Sequence, residues 1–208
     1  MSGIEAVLFD IGNVLIDWQP EAFYDRRIGA ARRRALFDAV DMFGANDRMD
    51  RGAPLRETFY DLAEAHPEFG PEIRLWHDSW SEFMVGEIPQ SVRLLRALQN
   101  KGVPVFALTN FGNQTLAMAE QRFGFLREFQ RRYVSAELRM MKPEPEIYAA
   151  VEADCGLAPE RLLFTDDRAE NVAAAAARGW QTHHFTGPEG LARALVDHRL
   201  LCPGEAGL

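Results

Sequence analysis

Short apolar runs that end in polar or small residues recur along the chain, and they restrict its possible folds more than any other feature. Each run has the length and composition of a buried β-strand. Three runs are clear and two are weaker, which gives five predicted strands. The clear runs cover 6–9, 103–108 and 162–164, and the weaker ones cover 133–135 and 182–185.

Stretches with helical spacing separate most of these runs. The segment 91–100 carries Val92, Leu94, Leu95 and Leu98 on one face and ends at Lys101-Gly102, a typical helix stop. Helices are also expected at 147–153, 169–178 and 188–198. Strands that alternate with helices predict an α/β fold, a Rossmann-like parallel sheet sandwiched by helices.

The interval 18–84 breaks the alternation, because it is helical in pattern throughout and dense in aromatic side chains. Glycine and proline clusters divide it into about four helices. We therefore predict two parts: a Rossmann-like core formed by 1–17 and 85–208, and an inserted α-helical cap formed by 18–84.

Charge and cysteine content exclude several classes of protein. The net charge is −8, which disfavours nucleic acid as a partner. The two cysteines form neither a disulfide framework nor a zinc pattern, so we expect a reducing cytoplasm. No run is long and apolar enough to span a membrane, and the N-terminus does not resemble a signal peptide. A monomer and a homodimer are both compatible with the sequence.

Polar residues follow the predicted strands at the points where each strand ends. They are Asp10, Thr109-Asn110 and Asp166-Asp167, with Lys142 in a turn-rich stretch. The carboxyl ends of parallel strands share one edge of a sheet, so we expect these side chains to converge. Carboxylates on adjacent strands repel one another unless a proton or a cation bridges them, and hard oxygen ligands suit Mg²⁺.

Four ordered motifs resemble those of the haloacid dehalogenase superfamily. They are FDIGNVL at 9–15, LTN at 108–110, MKP at 141–143 and FTDD at 164–167. The resemblance covers nearly the whole chain, and the helical insertion is similar to that superfamily's type 1 cap. Among its branches, the chain most resembles the DxGN branch, which includes bacterial sugar-phosphate phosphatases.

The resemblance implies a role for each motif residue. Asp10 would be the nucleophile that forms an aspartyl-phosphate. Thr109 would donate its hydroxyl, and Asn110 its amide or backbone N–H, to the phosphoryl oxygens. Lys142 would offset negative charge on Asp10 and on the transferred group.

The same resemblance implies a Mg²⁺ cofactor. Asp10, Asp166 and the carbonyl of Gly12 would be its ligands. Asp167 would lie in the next layer, where it would orient the metal's waters or Lys142.

Gly12 departs from the superfamily's usual pattern. Most of its phosphatases carry an aspartate at that position, which protonates the leaving group and later activates water. The sequence therefore does not show which group moves these protons. Metal-bound water, Asp17 and a cap residue such as Asp47 are the alternatives.

The first turn of the predicted cap follows Asp10 by only a few residues, so it must lie near the site. We expect Trp18 and Tyr24 to contact the substrate.

Three functions remain open. The first is a Mg²⁺-dependent phosphatase that acts on a small phosphorylated metabolite, possibly a sugar phosphate. The second is a metal-free 2-haloacid dehalogenase in which Asp10 attacks carbon, a reaction that needs no acid at Gly12. The third is a binding protein without catalysis. Asp166 and Asp167 favour the first, since a metal-free site that attacks an anion gains nothing from extra carboxylates.

Overall fold

The structure is a computed structural model that describes residues 3–208. Seven strands occur in this range and form two sheets. The strands are β1 (Ala6–Phe9), β2 (Ile16–Trp18), β3 (Met84–Glu87), β4 (Val105–Thr109), β5 (Arg131–Val134), β6 (Leu162–Asp166) and β7 (Gln181–His184).

The larger sheet is parallel and has the strand order β5-β4-β1-β6-β7. Its strands match the five predicted apolar runs. Strand β1 lies in the middle, where Phe9 pairs with Ala107 of β4 and with Thr165 of β6. The residue after β1 therefore emerges between the ends of both neighbouring strands.

The two faces of this sheet are both covered, as the all-apolar sequence of β1 requires. Val7 and Phe9 belong to one buried cluster, and Ala6 and Leu8 belong to another. Alternate residues of a strand point to opposite faces, so a separate core lies on each side of the sheet. The predicted Rossmann-like α/β fold is confirmed.

Helices of the core follow its strands. They are α6 (Pro89–Asn100), α7 (Asn113–Arg122), α8 (Ser135–Leu138), α9 (Pro145–Cys155), α10 (Ala169–Ala177), α11 (Pro188–Asp197) and α12 (Pro203–Ala206). Four of these were expected from the sequence, whereas α7, α8 and α12 were not.

Five α-helices lie between β2 and β3 in the described chain, where the sequence predicted about four. They are α1 (Pro20–Ile28), α2 (Ala30–Ala39), α3 (Met42–Asp50), α4 (Leu55–Ala65) and α5 (Gly70–Asp78). We call these five helices the cap. The division of the chain into a core and a cap with bounds at 18 and 84 stays a prediction.

The short antiparallel sheet of β2 and β3 was not predicted. Ile16 pairs with Glu87, and Trp18 pairs with Met84. The chain therefore enters and leaves the cap through two neighbouring strands.

An aromatic cluster holds the cap together. The Trp76 ring stacks on the Phe59 ring with 5.3 Å between centroids. Tyr24 is fully buried against Trp76 and donates its hydroxyl to the backbone carbonyl of Glu72 at 3.0 Å. Among residues 3–208, no helix is long and apolar enough to cross a membrane.

Candidate active site

Asp10 follows the central strand and lies almost buried, with 7% of its surface exposed. Its Oδ1 accepts a hydrogen bond from the backbone N–H of Ile11 at 2.7 Å. The same oxygen is 2.8 Å from Nζ of Lys142. Burial raises the pKa of Asp10 to about 7; Lys142 opposes this rise, and the nearby Asp166 adds to it.

Lys142 joins two carboxylates. Its Nζ donates to Oδ2 of Asp166 at 2.6 Å while it contacts Asp10. Burial disfavours the ammonium, but the attraction of the two carboxylates is stronger in sum and raises the pKa of Lys142. The lysine is therefore a fixed positive charge beside Asp10.

Asn110 positions the Lys142 backbone. Its Nδ2 donates to the carbonyl of Lys142 at 2.9 Å, and its Oδ1 accepts from the N–H of Lys142 at 2.8 Å. Both ends of the Asn110 amide are thus engaged. The second N–H of Nδ2 and the backbone N–H are the donors of Asn110 that could meet a phosphoryl oxygen.

Asp166 ends β6 and is fully buried. Its carboxylate accepts from the backbone N–H of Arg168 at 2.8 Å and from Nδ2 of Asn171 at 3.0 Å. Asn171, on α10, is also buried, so it fixes the orientation of Asp166. In the sequence, Asn171 is only a polar residue in an alanine-rich helix, which does not indicate this role.

Asp167 lies at the edge of the same cluster. Its Oδ2 accepts from Nδ2 of Asn13 at 3.3 Å. Asn13 has a φ of 55°, in the left-handed region that asparagine tolerates, and its Oδ1 also accepts from the backbone N–H of Trp18. The turn after Asp10 is therefore tied to Asp167 and to the start of the cap.

The carboxylates fit a divalent cation. Each of Asp10, Asp166 and Asp167 offers an oxygen that lies within 4.8 Å of the other two. Hard oxygen donors at such separations suit Mg²⁺. Gly12 lines the cavity beside this cluster. Thr109 is buried at the end of β4 and does not line the cavity above it.

A cavity of about 400 Å³ lies between this cluster and the cap. Trp18 lines it, and its contact with the substrate stays a prediction. Tyr24 does not line it, because its ring packs in the aromatic cluster of the cap; the expected contact of Tyr24 with substrate is therefore replaced by a packing role. The side of the cavity opposite the carboxylates is formed by α3 of the cap and by the segments next to the cap, with Phe43, Asn46, Asp47, Met49 and Asp50 from α3 and Ile16, Trp18, Trp80 and Met84 from those segments.

Sequence reasoning missed Asn46 and Asp50, two buried polar residues of α3 that line the cavity. Nδ2 of Asn46 donates to Oδ2 of Asp50 at 2.9 Å. Oδ1 of Asn46 is buried without a hydrogen-bond partner in the described chain. Their i, i+4 spacing places both on one helix face. Because a polar pair at that spacing usually faces solvent, the sequence does not indicate that these two line a cavity.

Gly12 has free space around it. A Cβ built on Gly12 would meet no atom of residues 3–208 within 4 Å, apart from Gly12 itself and its two neighbours in the chain. A side chain at this position is therefore compatible with the backbone.

Comparison with known families points to one group of hydrolases. The model of the haloacid dehalogenase-like hydrolase family matches residues 4–179. The chain is 25% identical to the sesquiterpene phosphatase astK of Aspergillus oryzae over 183 residues, which cover 88% of this chain and 90% of that protein.

Solved structures of the same superfamily are also similar to this chain. The HAD family enzyme bt-2542 of Bacteroides thetaiotaomicron, in complex with magnesium and inorganic phosphate, superimposes with a TM-score of 0.67 at 25% identity, covering 86% of this chain and 93% of that one. The L-2-haloacid dehalogenase of Xanthobacter autotrophicus, with chloropropionic acid covalently bound, has a TM-score of 0.64 at 21% identity over 95% and 84% of the two chains. The second likeness shows the fold alone.

Proposed function

The chain belongs to the haloacid dehalogenase-like hydrolases, and we propose that it is a Mg²⁺-dependent phosphatase of a small phosphorylated metabolite. The observation that carries this proposal is the meeting of three carboxylates and one buried lysine around Asp10. Two similar proteins support it. The relative astK is named a phosphatase, and the related enzyme bt-2542 was solved in complex with magnesium and inorganic phosphate.

In the proposed reaction, Asp10 attacks phosphorus and forms an aspartyl-phosphate that water later hydrolyses. Oδ1 is held by Ile11 and Lys142, so Oδ2 is the attacking atom. Lys142, which Asn110 fixes in place, offsets the charge that builds up on the transferred group. The proposed donors to the phosphoryl oxygens are Asn110, which lines the cavity, and the hydroxyl of Thr109, which lies buried at the end of β4 below it.

Asp10, Asp166 and the carbonyl of Gly12 would hold Mg²⁺, and Asp167 would orient its surroundings. When bound, the ion supplies positive charge that screens the carboxylates from the phosphate dianion. Asp166 is already oriented for this role by Asn171 and by the N–H of Arg168.

The carboxylates also separate this function from the two alternatives. A metal-free dehalogenase attacks an anionic haloacid, and buried Asp166 and half-buried Asp167 would repel that substrate. A binding protein without catalysis has no need of an aspartate whose orientation is fixed beside a lysine. We therefore favour phosphoryl transfer over both.

The cap sets the size and environment of the substrate. The cavity lies between the cap and the core, and its side opposite the carboxylates is mainly apolar, with Trp18 in the wall. A small organic group would be enclosed there with little water around it.

Both cysteines are free thiols, which supports the proposal that the protein works in a reducing cytoplasm.

A panel of phosphate esters and 2-haloacids, assayed with Mg²⁺ and with EDTA, tests the proposal. We expect phosphate release that requires Mg²⁺ and no halide release. The blank is Asp10→Asn, which removes the nucleophile with little change of shape. Halide release in EDTA would instead identify the protein as a dehalogenase.

A further inference from the structure

Phosphoryl transfer to Asp10 requires a proton for the leaving alcohol, and position 12 has no side chain to supply it. Two of the carboxylates considered from the sequence are poorly placed. Asp17 accepts from Nε2 of Gln19 at 2.7 Å and does not line the cavity. Asp47 lines the cavity, but its side chain is exposed to solvent.

Asp50 is a third candidate; it lines the cavity and is more enclosed than Asp17 and Asp47. It ends α3 and has 6% of its surface exposed. Asn46 donates to its Oδ2, and no Lys, Arg or His of residues 3–208 forms an ion pair with it. A buried carboxyl group without a cationic partner favours its neutral form, which can donate a proton.

The last turn of α3 is fastened to the core at the active-site edge. Oγ of Ser135 donates to the backbone carbonyl of Asp50 at 2.6 Å. The same oxygen accepts from the backbone N–H of Phe111 at 2.9 Å. Helix α3 also packs closely on Gly112, where a Cβ would lie 2.9 Å from Cγ of Met49. These contacts fix Asp50 with respect to the strand ends that carry the catalytic residues.

The direction of the reaction places the leaving group on the side of Asp50. In phosphoryl transfer, the attacking and leaving oxygens lie roughly in line with phosphorus. Asp10 attacks from the sheet, so the ester oxygen faces the cap side of the cavity, to which Asp50 belongs.

We propose that Asp50 is the general acid and base of this enzyme, in place of the aspartate absent at position 12. The inference rests on the proposed phosphatase function. As Oδ2 of Asp10 bonds to phosphorus, the bond between phosphorus and the ester oxygen breaks. The ester oxygen keeps the electron pair and takes the proton of the Asp50 carboxyl. In the second step the Asp50 carboxylate takes a proton from water, the water oxygen bonds to phosphorus, and the Asp10 carboxylate leaves.

The electrostatic environment supports this protonation state. Burial is the main cause that raises the pKa of Asp50, to about 8, and the charges of Asp47 on the same helix and Asp10 on the core add to it. Asn46 and the backbone N–H of Gly112 act in the opposite direction. The carboxyl group is therefore mostly neutral at pH 7.

Asp50→Asn tests the acid role through its dependence on the leaving group. An alkyl alcohol leaves poorly and needs the proton, whereas p-nitrophenolate leaves unaided. In single turnovers, we expect alcohol release from an alkyl phosphate to fall about 10²- to 10⁴-fold and p-nitrophenolate release to change by less than about threefold. Asp61→Asn, which changes an exposed carboxylate of α4 that does not line the cavity, is the matched control and should keep the wild-type ratio of the two rates. Asp47→Asn tests the neighbouring carboxylate of α3.

The base role has its own readout. With Asp50→Asn, p-nitrophenyl phosphate should give a burst equal to the enzyme concentration, because hydrolysis of the aspartyl-phosphate becomes slow. The alkaline limb of the pH profile, expected near pH 8 for alkyl phosphates in the wild type, should disappear. Adding Gly12→Asp to the Asp50→Asn variant should restore part of the alkyl rate, since the space beside Gly12 is free.

Two results would overturn the inference while the phosphatase function stands. One is equal loss for alkyl and aryl esters in Asp50→Asn, which marks a structural role. The other is a selective loss in Asp47→Asn, which moves the acid one turn along α3. If the wild type hydrolyses none of the phosphate esters of the panel with Mg²⁺, the proposed function fails and the inference fails with it.

Discussion

At the scale of single residues, charge balance dominates the site. Asp10 and Asp166 share one ammonium group, that of Lys142, and Asp167 has no cation of its own within ion-pair distance in residues 3–208. The site is therefore acidic overall. Each carboxylate is held by hydrogen bonds from side chains or the backbone, and these bonds keep the group in place despite the repulsion.

Lys142→Met should lower kcat about 10²- to 10³-fold and leave KM within about fivefold. The reason is that the lysine offsets charge that grows during phosphoryl transfer, rather than charge present at binding. Steady-state kinetics with p-nitrophenyl phosphate measure both constants. Lys101→Met removes an exposed lysine that pairs with Glu205, so it should match the wild type. A loss confined to KM would show that Lys142 only attracts the substrate.

Several of these residues could be identified from the sequence, because strand ends mark their positions locally. Asp10, Asn110 and Asp166 each follow or end an apolar run, and the structure brings them together with Lys142. Asp50 could not be found in this way. Its place above the strand ends depends on a hydrogen bond from Ser135, which in turn accepts from Phe111, and both residues are far away in sequence.

At the scale of elements, α3 connects the cap to the core. Its last turn is joined to the start of α8 and to the segment after β4 through one hydroxyl group, that of Ser135. The hydroxyl is buried, so neither of its partners can turn to water if it is removed.

Ser135→Ala should lower the free energy of unfolding by about 1–3 kcal/mol. The substitution leaves the N–H of Phe111 and the carbonyl of Asp50 without this partner in a buried environment. Urea denaturation measures the change. The control is Ser81→Ala at an exposed position, for which we expect less than about 0.5 kcal/mol. Equal effects of the two substitutions would mean that α3 is held by packing alone.

The secondary structure elements show why some were predicted and others were not. Strands β1, β4 and β6 are buried over their whole length, so their sequences are continuous apolar runs. Strands β2 and β3 have three and four residues, and only their pairing across the whole cap defines them. The residue pattern within each short segment does not reveal this pairing with a distant segment.

At the scale of the whole molecule, the strands and the connecting segments contribute one site together. The three clustered carboxylates follow or end β1 and β6, whereas Lys142 lies in the segment between α8 and α9. These groups are close only in the folded chain. A cation that binds them therefore binds the native state in preference to the unfolded state, and stabilises it.

Mg²⁺ at about 100 times its dissociation constant should stabilise the fold by about 2.7 kcal/mol. For a chain of this length, that corresponds to a rise in Tm of about 5–10 °C. Differential scanning calorimetry with Mg²⁺ and with EDTA measures the rise. Asp166→Asn removes one anionic ligand and should show a clearly smaller rise. The same rise in both proteins would place the ion elsewhere.

The pairing of β2 with β3 also has a consequence for the history of such a chain. The segment 19–83 begins and ends on adjacent, hydrogen-bonded strands, so its two attachment points are about 5 Å apart. Insertions and replacements are tolerated best where the ends of the exchanged piece meet the host at neighbouring points. One ancestral scaffold could thus acquire, lose or swap this module without changing the register of its parallel sheet. Diversification of substrate range would then proceed by exchange at a single junction, while the machinery at the strand ends was inherited unchanged.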